Sequence, residues 1–267
     1  MQHVMKFLKV HALGNDFMII DRLTQSFFID APLVRSLANR KTGIGFDQLL
    51  ILEPPVDVNY DFTYQVYYAN GVIASSPCWN GMRALTHYIH DYNLLKKKEL
   101  LIQSHQHSFV SELISHSVTK VSHPSNLNDI THLEALQFDQ WQADSVIVCG
   151  EKHILFWDCS KDAKKSLLAR SKEEFLKTYA VMSFVSLDSD KNILLESIDV
   201  NIGRVFNHGA AAIAAAIAYQ KKQQSSRENI RVITQTGYVT VNINHKDIAL
   251  LGPITRAFKG ECLVYCN

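Results

Sequence analysis

No apolar run in this chain approaches the roughly 20 residues that a membrane-spanning helix needs, so no spanning segment is expected. The opening stretch, MQHVMKFLKVHALGND, lacks the apolar centre and small-residue cleavage site of a secretion leader. Cysteines are sparse, odd in number and far apart: Cys78, Cys149, Cys159, Cys262 and Cys266. None forms a C-x-x-C pair, and the 12 histidines show no zinc spacing, so no metal site is expected. Such thiols suit a reducing, cytoplasmic setting. A net charge of +1 leaves no global field to draw in nucleic acid or an anionic membrane surface.

What the chain does have is ordinary globular composition, 47% hydrophobic and 20% charged over 267 residues. That length suits one large domain or two moderate ones. MKFLKVHAL reads as a strand, broken by Gly14-Asn15-Asp16 before a second strand, FMIID. APLVRSLANR has helical spacing with Pro32 in the first turn. GIGFDQLLILEPP gives a glycine loop, a buried strand and a proline stop, and YDFTYQVYYANG alternates as a half-buried strand should, ending in Asn70-Gly71. ELLIQSH follows as a strand, on whose continuation His105 and His107 alternate. In the second half SVIVCGEKHILFWD reads as a strand pair interrupted at Gly150, SKEEFLKTYAVM as a helix, and ILLESIDVNIG as a strand. Asn207-His208-Gly209 then opens the alanine-rich run AAAIAAAIAYQKKQQ, the clearest helix, before IRVITQ, YVTVNIN and DIALLG.

PCWNGMRA, residues 77–84, sets a cysteine at the mouth of a helix. A thiol there sits in the positive potential of exposed N–H groups, which stabilises its thiolate. The same N–H groups suit a carboxylate ligand and charge developing on it. HALGNDFMIID, GIGFDQLLILEPP, YQVYYANG, PCWNGMRA and LLGPITRAFKGE, in that order, resemble the motifs of the diaminopimelate epimerase family. The resemblance implies an α+β fold of two pseudo-symmetric domains, 1–118 plus 254–267 and 119–253, each a strand-rich barrel-like sheet around a central helix, with a cleft between them. It also implies cofactor-independent epimerisation of an amino acid, without pyridoxal phosphate or metal, by two cysteines that serve opposite faces of the substrate α-carbon. Cys78 corresponds to one of them, and Asn15, Gln48, Asn80 and Gly81 correspond to substrate-binding positions.

The second half departs from that pattern. Aligned on the helix start in DVNIGRVFNHGAAAI, the second cysteine becomes His208, followed by Gly209, which the resemblance implies as a further substrate-binding residue. The family's Glu-Arg pair becomes Asp199-Val200, its Glu-Thr becomes Arg204-Val205, and Ala210 and Ala211 replace the anion-binding turn residues. Glu151 and Val181 stand at family Asn positions, while Tyr68 and Trp79, in place of Asn and Gly, are expected to fill the cleft. His208 has two readings: a neutral proton carrier paired with Cys78, or only a helix cap. Cys78 is either a reactive thiol or an inert one, and Asn15 either binds ligand or adopts a left-handed turn after Gly14. Two functions follow. One is a divergent epimerase or isomerase acting on a small amino-acid-like ligand. The other is a non-catalytic paralogue, homodimeric or paired with a competent epimerase. Ordinary diaminopimelate epimerase activity is not expected of either.

Overall fold

A computed structural model of the chain describes residues 2–124, 131–138, 140–170 and 175–265. Strands dominate, helices are few, and the chain divides into a discontinuous unit, 1–121 with 253–267, and a continuous one, 122–252.

The first unit begins with β1 (Gln2–Ala12) and β2 (Asn15–Asp21), an antiparallel hairpin. Its two turn residues, Leu13 and Gly14, both have positive φ, at 50° and 87°, the geometry that matches strand twist in a tight hairpin. Asn15 therefore needs no left-handed backbone: it is already in β2, paired with Ala12, which corrects the turn reading. Helix α1 (Ala31–Ala38) starts at Asp30, whose carboxylate accepts the Leu33 N–H at 2.9 Å, with Pro32 in the first turn. β3 (Gln48–Glu53) runs parallel to β2 and antiparallel to β4 (Phe62–Tyr68), which sets Phe17, Gln48 and Tyr68 abreast across three strands.

Helix α2 (Trp79–Asp91) is buried at every residue from Trp79 to Ile89, as suits a helix with protein on all sides. β5 (Glu99–Ser104), β6 (His107–Ser115) and β7 (Val118–His123) follow it in sequence. His105, expected to alternate with His107 on a strand, is instead a turn residue with φ of 55°, because Ser104 and His107 pair directly across a hairpin. One core cluster packs Met18, Ile20, Val34, Leu37, Phe46 and Leu49 together.

In the second unit come β8 (Thr131–Phe138), β9 (Trp141–Val148) and β10 (Glu151–Trp157). The β9–β10 hairpin turns on Cys149 and Gly150, with φ of 48° and 83°. Helix α3 (Lys161–Arg170) follows, capped by Ser160 Oγ, which accepts the Ala163 N–H at 3.2 Å. Of the helix expected over 171–182, residues 171–174 lie outside the described ones; Phe175 still has helical backbone and accepts the Tyr179 N–H at 2.8 Å, the chain then turns, and β11 (Val181–Leu187) has begun by Val181. Phe175 faces Phe156 and Phe138 edge-on in the core.

β10 pairs parallel with β11, which pairs antiparallel with β12 (Ile193–Asp199). The short β13 (Gly203–Val205) leads to α4 (Gly209–Gln223), buried from Gly209 to Tyr219, where alanine side chains let packed strands come close. β14 (Asn229–Thr234), β15 (Gly237–Ile243) and β16 (Ile248–Pro253) pair antiparallel in turn, and β17 (Thr255–Tyr265) returns to the first unit to pair antiparallel with β1. No helix among the described residues is long and apolar enough to cross a membrane.

Candidate functional site

In the first unit, Cys78 is the N-cap residue of α2, with extended backbone at φ −90° and ψ 98°. Its Sγ accepts the Gly81 N–H at 3.3 Å, and the thiol donates to Gln48 Oε1, also at 3.3 Å. The sulfur thus takes the place that a Ser or Asp oxygen fills in an ordinary cap. Gly81 is needed for this approach, since a Cβ there would sit 3.1 Å from Sγ and 2.9 Å from Leu50 Cδ2.

Beside the sulfur runs a directed chain of hydrogen bonds. Arg83 Nη1 donates to Asn80 Oδ1 at 3.0 Å, Asn80 Nδ2 donates to Asn15 Oδ1 at 3.2 Å, and Asn15 Nδ2 donates to Asp47 Oδ2 at 3.2 Å. A cation at one end and a carboxylate at the other fix which way each amide points. The carboxylate end is itself held in a cluster with Asp16, Lys9 and Arg40. Burial opposes ionisation of Asp16, but hydrogen bonds from Arg40 and Lys9 outweigh it and hold the carboxyl at about 2. Burial, then the Asp16 charge, push Asp47 above the usual carboxylate range. Asn15, Gln48, Asn80 and Gly81 therefore gather around Cys78 or its helix turn. Tyr68 lies opposite Gln48 in the β3–β4 register. Trp79, 1% exposed, stacks edge-on against Phe109 at 5.1 Å inside the first unit. As the first residue of α2 it is carried to the side of the helix that faces β6.

In the second unit His208 is the N-cap residue of α4. Its Nδ1 accepts the Ala211 N–H at 3.2 Å, which requires a lone pair there, so the ring proton sits on Nε2, 3.3 Å from Asp199 Oδ2. The other oxygen of Asp199 accepts the N–H groups of Asn201 and Ile202 at 2.6 and 3.0 Å. Sheet register explains the grouping, for His153, Val181 and Asp199 stand abreast on β10, β11 and β12. Glu151 lies two residues from His153 on the same face, with its Oε2 3.0 Å from His153 Nε2, and the His153 ring meets His208 edge-on at 5.9 Å.

Burial disfavours the His208 imidazolium, but Glu151 and Asp199 outweigh it and raise the pKa above the ordinary value. The cap N–H pulls the other way, because it needs Nδ1 unprotonated. Both ring nitrogens are thus committed.

Glu151, Asp199 and His208 each bring one ligand-type atom to within 4.8 Å of the others. A metal on Nε2 would have to displace a proton while Nδ1 stays bare, leaving an imidazolate, so the group reads as a hydrogen-bonded set rather than a metal centre. Gly209 is the first helical residue of α4, buried. Of the remaining described thiols, burial and then Glu151 push Cys149 up to about 12, and burial raises Cys159 and Cys262.

Sequence reasoning gave no role to Arg83, Asp47 or His153. Arg83 carries a signal that was there to read: a charged residue set between the apolar Trp79, Met82, Ala84 and Leu85 of one helix.

Comparison with known proteins places these observations. The family model for diaminopimelate epimerase matches residues 7–121. The diaminopimelate epimerase of Acinetobacter baumannii is 27% identical over 278 aligned residues, covering 97% of each chain. Among solved structures, a hydroxyproline epimerase from Agrobacterium vitis with bound trans-4-hydroxy-L-proline superposes with a TM-score of 0.71 at 12% identity, over 98% of this chain and 93% of that one. A PhzF-family phenazine biosynthesis protein from Bacillus anthracis gives 0.72 at 12% identity, over 98% and 100%. At these identities the structures speak for the fold alone.

Proposed function

We propose that this chain, a relative of the diaminopimelate epimerases, is a cofactor-independent proton-transfer protein of the isomerase kind, with Cys78 as its working group and without ordinary diaminopimelate epimerisation. One observation carries the reading: Cys78 Sγ sits at the N-terminus of buried α2, receives the Gly81 N–H at 3.3 Å and touches Gln48 at the same distance. Such a thiol is suited to take a proton from carbon beside a carboxylate, while the α2 N–H groups steady the charge that develops. The relatives' names support an amino-acid-like ligand. The two units support a reading as copies of one plan: each sets three strands abreast, one pair parallel and the next antiparallel, and each opens its buried helix on a side-chain cap.

Inversion needs a second proton carrier, and His208 fills that role poorly. Its Nδ1 holds the α4 cap and its Nε2–H is turned to Asp199. Losing one member of an acid–base pair costs a factor of about 100 to 10,000. We therefore expect hydrogen exchange without efficient epimerisation. The test is purified protein in deuterium oxide with diaminopimelate and single amino acids, followed by proton NMR at the α-carbon. Exchange that disappears in Cys78→Ala supports the reading, and no exchange with any substrate refutes it.

The His208 commitment also favours a second reading, a binding subunit that pairs with itself or with a competent epimerase. Light scattering that shows a lone monomer, together with no thermal stabilisation by amino acids, would remove it.

A further inference from the structure

Each unit opens its buried helix on a side-chain acceptor for the N–H three residues further on. In the first, Cys78 Sγ takes the Gly81 N–H at 3.3 Å; in the second, His208 Nδ1 takes the Ala211 N–H at 3.2 Å. The two caps answer a proton differently. Sulfur accepts a hydrogen bond both as thiol and as thiolate, so titration never removes its lone pairs. An imidazole accepts only while it is neutral, and in the imidazolium both nitrogens are donors.

His208 carries its ring proton on Nε2, 3.3 Å from Asp199 Oδ2, so a second proton can only go to Nδ1, the atom that holds the cap. A proton there would set one N–H against another 3.2 Å away. It would also place a full positive charge at the positive end of α4. The surroundings nonetheless invite it. The titratable groups set against the ring are Asp199 of β12 and Glu151 and His153 of β10. Asp199 and Glu151 each bring a carboxylate oxygen to within 4.8 Å of a His208 ring nitrogen and of one another. The His153 ring meets His208 edge-on at 5.9 Å, with its own Nε2 3.0 Å from Glu151. Two carboxylates enclosed this closely repel each other, and a cation between them relieves that repulsion.

We infer that His208 is a pH switch on α4: neutral, it caps the helix; protonated, it releases the Ala211 N–H and turns its new N–H toward the two carboxylates. Gaining the proton and losing the cap are one event, because a single lone pair serves both. Burial opposes the charged ring, and Glu151 and then Asp199 overcome it, so the switch point lies above the ordinary histidine value. Below that point the first turn of α4 loosens, while α2 stays capped by a sulfur that accepts in either form. Acid therefore acts on the second unit's helix and spares the first unit's. No chemistry at Cys78 is needed for this inference, and it stands or falls apart from the proposed function.

The test is NMR of the nitrogen-15-labelled full chain from pH 5 to pH 9, following the His208 ring nitrogens and the Ala211 amide together. The ring and the amide should titrate with one shared midpoint. On its acid side the Ala211 N–H should exchange with solvent about fivefold faster or more, once corrected for the pH dependence of the chemical step, as expected for a lost helix cap. His208→Asn keeps a capping oxygen that does not titrate, so its Ala211 amide should hold still over the whole range. Asp199→Asn should lower the shared midpoint by about one pH unit or more without separating the two signals. A His208 ring that titrates while the Ala211 amide stays fixed would overturn the inference. So would an Ala211 amide that moves equally in His208→Asn, or a ring that stays neutral from pH 5 to pH 9. Should either variant fail to fold, the wild-type protein decides alone, by whether its two midpoints coincide.

Discussion

Replacing Gly81 with alanine puts two effects in opposition. In a helix, alanine is ordinarily better than glycine by about 1 kcal/mol, because it leaves less backbone freedom to lose. Here the added methyl would lie 2.9 Å from Leu50 Cδ2, 3.1 Å from Cys78 Sγ and 3.2 Å from Cys78 Cβ. Leu50 is fully buried in β3, so it has little room to retreat. Pushing the sulfur away breaks the cap bond from the Gly81 N–H, costing about 1 kcal/mol. Overpacking the site adds about 1–3 kcal/mol. The clash outweighs the propensity, and the net expectation is a loss of about 1–3 kcal/mol. Urea unfolding should show a lower midpoint at unchanged slope, and a Tm drop of about 2–4 °C for each kcal/mol lost. Leu50→Ala should partly relieve the clash, so the two substitutions in one chain should cost less than their sum, with a coupling of at least about 0.5 kcal/mol. A Gly81→Ala protein as stable as wild type, or more stable, would refute the account of the Cys78 cap.

His208→Ala should lose about 1 kcal/mol of stability by uncapping α4, and His208→Asn should restore most of it because asparagine caps well; equal losses in both would show that the cap bond matters little. Because Glu151 and Asp199 raise the His208 pKa, its charged form adds stability that is full below about 6.5 and fades as pH rises through the folded value. The gap between wild type and His208→Asn should therefore narrow from pH 5 to pH 8, whereas a widening gap would mean the Nδ1 cap dominates. Asp16, held at about 2, contributes stability that is present above the unfolded value of about 3.9 and is lost as pH falls toward 2. Asp16→Asn should flatten acid unfolding in that window and cost on the order of 2 kcal/mol at pH 7, with an unchanged acid profile counting against the ion cluster.

Features written in local backbone chemistry were legible from residues alone. Pro32 marked the first turn of α1, Asn70-Gly71 ended β4, Gly150 split β9 from β10, and PCWNGMRA placed Cys78 at a helix mouth. Helix α3 escaped because its residues are mostly polar and its cap, Ser160, begins no hydrophobic pattern. The grouping of Glu151, His153, Asp199 and His208 was out of reach for another reason. It depends on the β10–β11–β12 register, a long-range pairing that no window of sequence encodes. Arg83 was passed over because a charge on a helix is ordinarily solvated, and only the enclosure of α2 on all sides overturns that expectation.

The β1–β17 ladder ties residues near one end of the chain to residues near the other, from Gln2 with Tyr265 to His11 with Thr255. On the ribosome this inverts the usual order of maturation. The segment 122–252 is contiguous, whereas the unit begun first keeps one side of β1 unzipped until β17 is made. A stop codon before residue 255 would therefore harm the beginning of the protein more than its middle.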